Sequence, residues 1–202
     1  MTRRVPANKG RRFPAEPLTE GEIRGLIRAS SPRAATGVRN RALIAVLYRG
    51  GLRVAEALAL HPKDVDQAAG AVVVLHGKGD RRRTVGMDPA AFALLERWMD
   101  RRRQLALPAR RPVFCTLKGQ HLDPSYVRRL LPRLAARAGI DKRVHPHGLR
   151  HTHAFELAAE GVPVHVIQQQ RSHGSLATTD RYLRHVAPTE RVAAMQTRQW
   201  TP

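Results

Sequence analysis

The run His147-Gly148-Leu149-Arg150-His151, then His173 and, nine residues further on, Tyr182, gathers side chains suited to phosphate chemistry in one stretch. Arginine presents a planar fork of donors matched to phosphate oxygens, histidine moves protons near neutral pH, and a tyrosine hydroxyl can attack phosphorus. Pro146 sets a helix start, and the i, i+3 and i, i+4 spacing puts His147, Arg150 and His151 on one face that could grip a phosphate. Alone, that spacing describes equally well a capped helix with an exposed arginine and a packed histidine. A zinc centre is the other reading, because His145, His147, His151, His153, His165 and His173 share this half of the chain. It scores poorly: there is no H-E-x-x-H, no cysteine pair and no carboxylate at ligand spacing. Tyr182, flanked by Arg181 and Arg184, has no better claim than Tyr48 or Tyr126 until context singles it out.

Two upstream elements offer partners. In Gly51-Leu52-Arg53-Val54-Ala55-Glu56, Arg53 opens a helix and Glu56 falls three residues on, where a carboxylate could hold the guanidinium; a surface ion pair has the same spacing. Gly77-Lys78-Gly79 occupies an expected hairpin tip, where glycines let a polyanion approach. A lysine can release its proton where arginine cannot, so Lys78 suits a general acid, with an ordinary basic turn as the alternative.

The elements that must position these groups follow from local patterns. Thr19 and Glu22 have capping-box spacing ahead of Ile23, Leu26 and Ile27, which predicts a helix to about Ala29. Asn40 to Arg49 is dense enough for a core helix ending at Gly50-Gly51, and Leu52 to Leu60 restarts as another. Ala71 to Leu75 and Arg83 to Val85 read as strands of a hairpin. Asp88-Pro89 opens a helix whose end, Arg101-Arg102-Arg103, reads as a solvated basic face. Val113-Phe114-Cys115 reads as a short strand, and Asp123-Pro124 starts a helix to Gly139 that Pro132 is expected to kink or break. Helical pieces are expected near Gly148–Glu160, Pro163–Gln170, Thr178–His185 and Pro188–Gln199, with no internal repeat. The fold expected is mainly α with a small antiparallel β-sheet, an α+β class.

Composition bounds the rest. The chain of 202 residues is 42% apolar, enough for one domain with a sizeable core, and residues 1–16 read as a flexible basic arm. No apolar run approaches the roughly 20 residues of a membrane span, no secretion signal is legible, and Cys115 is the only cysteine. A cytoplasmic, nucleoid-associated protein without an internal disulfide is the expectation. A formal charge of +20, from 36 Lys plus Arg against 16 Asp plus Glu, points to a polyanionic partner, nucleic acid first. An anionic membrane surface is disfavoured because no long helix pairs a basic face with a strongly apolar one.

Taken in order, Arg53 with Glu56, Lys78, His147-x-x-Arg150, His173 and Tyr182 resemble the catalytic set of the tyrosine recombinase, or phage integrase, family. The match runs from about Leu18 to the end. The resemblance implies the catalytic domain of a DNA breaking-rejoining enzyme over 17–202, acting on double-stranded DNA without cofactor, metal or ATP. It implies that Arg53 and Arg150 clamp the scissile phosphate, that Tyr182 attacks to leave a 3′-phosphotyrosyl link, and that Lys78 protonates the departing 5′-oxygen. His147 and His173 would assist, Glu56 and His151 would support, and Arg81, Arg82, Arg83, Lys118 and Arg181 are expected against DNA. Recombination joins two duplexes through four active sites, so a homo-tetramer assembled on DNA is expected, with accessory proteins as candidate further partners; the tail from Pro188 to Gln199 reads either as a device docking on the neighbouring protomer or as a helix packed on its own domain.

Two departures accompany the match. Arg171-Ser172 stand where the family usually has Leu-Gly, and Gly174 follows His173 where a serine is common. They raise the alternative of a DNA-binding regulator or catalytically impaired relative. The separate N-terminal DNA-clamping domain of many members has no counterpart ahead of Leu18, which suits a naturally short member or a catalytic fragment.

Overall fold

The computed structural model describes residues 16–75 and 82–171. Along them run α1 (Glu20–Arg28), α2 (Ala35–Tyr48), α3 (Val54–Ala59), β1 (Val65–Asp66), β2 (Ala71–Val74), β3 (Arg83–Gly86), α4 (Pro89–Gln104), α5 (Pro124–Arg137), α6 (Pro146–Ala159) and α7 (Val164–Arg171). This is the mainly helical class with a small antiparallel sheet that the sequence predicts. The N-terminal arm to residue 15, the hairpin tip and the helices expected near 178–185 and 188–199 lie outside the described residues.

The caps legible in the sequence are made. Thr19 Oγ1 accepts from Glu22 N at 3.2 Å while Thr19 N donates to Glu22 Oε2 at 2.6 Å, and Asp88 Oδ1 accepts from Ala91 N at 3.0 Å. The hairpin forms with Val74 opposite Arg83 and Val72 opposite Val85. A third strand, β1, pairs with β2; two residues long, it has too few positions to show an alternating pattern in the sequence.

The core gathers around α2, which packs most extensively against α4 and also meets α1, α3 and α6. Leu43, Ile44, Val46 and Leu47 are fully buried, so the second half of α2 is apolar on all sides as a central helix must be. Each such side chain contributes about 1.5–3 kcal/mol of transfer free energy. Trp98 of α4 is 0% exposed and its indole N–H donates to Val113 O at 2.7 Å, tying α4 to the chain ahead of α5.

Several expectations change. Helix α2 begins at Ala35, because Arg39 and Asn40 are buried inside it: the Arg39 guanidinium donates to Cys115 O at 2.9 Å and to Tyr126 Oη at 2.6 Å. Arg102 is not solvated; it is 3% exposed and donates to Arg111 O at 3.1 Å and Pro112 O at 3.0 Å, closing the loop after α4. Helix α5 runs unbroken through Pro132. Val113 to Cys115 forms no named strand; Cys115 makes an isolated bridge with His121.

Candidate active site

The turn Gly50-Gly51-Leu52 ends α2 and presents Arg53 as the N-cap of α3. Gly51 has φ of +59°, and a Cβ on it would lie 2.8 Å from His153 Cδ2, so α6 packs where no larger residue could stand. That close approach lets Arg150, one turn along α6, donate to Gly51 O. The same guanidinium donates to Arg171 O at the end of α7. Two backbone carbonyls from separate elements thus fix the orientation of a side chain that is only 3% exposed.

Glu56 organises the other half. Its side chain is 3% exposed and accepts from Arg53 N at 2.9 Å, from Arg53 Nη1 at 2.6 Å and from Arg83 Nη2 at 2.8 Å. Burial pushes its carboxyl pKa up, but the hydrogen bonds from Arg83 and from the Arg53 backbone outweigh that and hold it below the ordinary value. Arg83 Nε also donates to Gln170 O at 3.4 Å, and Gln170 Nε2 donates to Gly86 O at 2.7 Å, so α7 is latched to β3 in both directions.

Among the described residues, charge at this centre is unbalanced. Burial, then Arg171 and Arg53, push the Arg150 pKa down to about 9, with Glu56 opposing them; the group stays cationic at neutral pH. Such an excess of guanidinium charge is what an incoming phosphate neutralises. His147 stands at the exposed start of α6, its ring 6.4 Å from that of His145, and His145 Nδ1 accepts from Gly148 N at 2.7 Å to cap the helix. Desolvation by neighbouring groups and then the charges of Arg171, His145, Arg150 and Arg53 lower the His147 pKa, which favours the neutral ring.

The structure therefore brings Arg53, Glu56, Arg150 and His147 together, with His151 half-buried on the same helix. Arg83, expected against DNA, has its guanidinium on Glu56 with the side chain 10% exposed; Arg82 and Lys118 are exposed. Lys78, Arg81, His173, Arg181 and Tyr182 lie outside the described residues. Arg171 joins the site unforeseen. It is 0% exposed, its carbonyl holds Arg150, and its charge acts on His147; the only hint in the sequence is its departure from the family pattern. Among the described residues no three potential metal ligands converge.

An α+β domain with two arginines paired on one buried glutamate presents positive charge to an anionic partner, and sequence comparison gives its family. A sequence model of the phage integrase family matches residues 16–188, and the chain belongs to that family. It is 31% identical over 166 residues to the tyrosine recombinase XerC of Myxococcus xanthus, covering 80% of this chain and 55% of that protein. The chain spans about half the length of the curated relatives it matches. The crystal structure of XerA recombinase superposes with a TM-score of 0.75 at 30% identity, over 98% of this chain and 68% of that one. A post-cleavage complex of XerH site-specific recombinase with a palindromic difH substrate gives a TM-score of 0.72 at 28% identity, over 89% of this chain and 52% of that one.

Proposed function

We propose that the chain is the catalytic domain of a site-specific tyrosine recombinase, over residues 17–202, that cleaves and rejoins double-stranded DNA through a protein-linked intermediate. The observation that carries this reading is the Arg53–Glu56–Arg83 cluster against Arg150: a part-exposed Arg53 and a buried Arg150, held in place by one carboxylate and by backbone carbonyls, with positive charge in excess among the described residues. Arg53 and Arg150 receive the non-bridging oxygens of the scissile phosphate and stabilise the charge that grows on them. The Tyr182 oxygen attacks phosphorus and gives up its proton, with neutral His147 as the acceptor; the 5′-oxygen leaves with a proton from Lys78. His173 hydrogen-bonds the phosphate. Attack by a 5′-hydroxyl of the partner strand then releases the tyrosine, so bond energy is conserved without metal or ATP. A homo-tetramer on two duplexes in the nucleoid, aided by accessory proteins, is the assembly this chemistry calls for.

A suicide duplex carrying the cognate site tests the assignment. A denaturant-resistant adduct is expected with the natural chain and none with Tyr182→Phe; an adduct surviving that substitution would remove Tyr182 as nucleophile. The burial of Arg171 beside Arg150 favours a second reading, a DNA-binding relative with impaired cleavage. Salt-dependent binding to that duplex with no adduct under any condition would select it.

A further inference from the structure

We propose that the recess between the first turn of α2 and the exposed face of α5 is a second anion site, built from none of the clamp residues, that takes a phosphate-type oxyanion. The recess has a volume of about 310 Å³. Thr36 and Gly37 of the first turn of α2 line it, and that turn is bare: Ala34 supplies no side-chain cap and no acidic residue stands there. The amides of an uncapped helix start carry partial positive charge and lack intrahelical acceptors. A Cβ on Gly37 would lie 2.2 Å from Ser31 O, so the 30–31 turn closes directly over the helix start.

A separate observation points to a ligand. Ser30 lines the recess at 4% exposure, and its hydroxyl has no hydrogen-bond partner among the described residues. Buried hydroxyls are seldom left so, and an oxyanion would accept from it. The surroundings have the matching charge. Arg133 and Arg137 stand exposed at the rim, and no carboxylate lines the space. Behind the lining residues Asn40 and Tyr126 lies Arg39, 3% exposed, whose guanidinium donates to Asn40 Oδ1, Tyr126 Oη and Cys115 O, all of them neutral acceptors that leave its charge uncancelled. Ser30, Thr36, Gly37, Arg133 and Arg137 line one small space, and hydroxyl, amide and guanidinium donors of these kinds suit tetrahedral oxygens.

The oxyanion is either free phosphate or a DNA phosphodiester away from the cleavage point; the second source rests on the recombinase reading. Inorganic phosphate titrated against chloride at constant ionic strength, read at the Thr36 and Gly37 amide resonances, should give a saturable shift. The shift should disappear in the Arg133→Ala/Arg137→Ala double variant, whose changes are on the surface, and weaken in Ser30→Ala. A shift that does not saturate, or that persists in the double variant, overturns the site. With a DNA duplex, a log–log salt slope reduced by about one per arginine removed assigns the anion to the DNA backbone, and an unchanged slope, where the phosphate shift saturates in the natural chain and is lost in the double variant, assigns it to free phosphate; both support the site. Failure of the suicide-substrate adduct alongside a saturable phosphate shift would sink the recombinase reading and leave this site standing.

Discussion

Glu56 shows how one side chain sets the properties of its neighbours. It accepts from Arg53 and Arg83 at 3% exposure, so Glu56→Gln removes a shared counter-charge from two guanidiniums. Breaking a buried pair in this way costs about 3 kcal/mol, to be read as a lower urea midpoint at constant slope. The Glu56 pKa is depressed, so its contribution is present above the unfolded value of 4.5 and fades as pH falls below it; the variant and the natural chain should converge in acid. Arg171 acts on the neighbouring histidine. In Arg171→Leu the His147 pKa should rise toward its ordinary 6.5, since one of the charges lowering it is gone. Imidazole resonances followed against pH report the shift, and the acid limb of the cleavage profile should move the same way. An unmoved His147 titration would show that burial alone sets its value. Residue type and spacing left Arg53, Glu56, Arg150 and His147 open to ordinary structural readings, and only the family resemblance grouped them as a candidate site; the part played by Arg171 was not legible, because a charged residue in a helical pattern reads as exposed.

At the scale of elements, α7 is the connector. Its last carbonyls receive Arg83 from β3 and Arg150 from α6, while the Gln170 amide donates to Gly86 O. The helix thereby ties the hairpin that leads to Lys78 to the chain that leads to His173 and Tyr182. Gln170→Ala removes a partly exposed bond worth about 1 kcal/mol. Amide exchange should quicken in α7 and β3 and stay unchanged in α4, with slower cleavage and unaltered DNA affinity; equal quickening throughout would reject the latch. Helix type and approximate limits were legible wherever an apolar period carried a cap, as in α1 and α4. Helix ends buried against other elements were not: α2 starts five residues before the expected Asn40 because Arg39 finds its acceptors at Cys115 and Tyr126, far along the chain.

For the whole molecule, acid stability links the core to the site. His153 is 4% exposed against Gly51 and Tyr48, both ring nitrogens lack partners among the described residues, and burial followed by Arg49, Arg171 and Arg150 pushes its pKa down to about 3, with Asp88 opposing. The folded state therefore resists a proton that the unfolded chain accepts near 6.5, and stability is lost progressively as pH falls from there toward about 3. His153→Phe, which keeps an aromatic ring against Tyr48, should flatten the fall of Tm between about pH 6.5 and 5, before the carboxylates titrate. Parallel Tm curves for the two proteins would exclude His153 as the cause. What the sequence alone determined was fold class and a set of candidate residues: which residue types stand at which spacing, and the local periods and caps that make helices around a small hairpin. Those signals are short-range, carried by i, i+3 and i, i+4 neighbours and by turn residues. Only the tertiary structure decided that Arg150 is held by Gly51 O and Arg171 O, that Arg83 belongs to Glu56, and that Arg39, Arg102 and Arg171 are interior. Each of these depends on acceptors from another element, which no local pattern encodes and which packing supplies when it removes water from both partners at once.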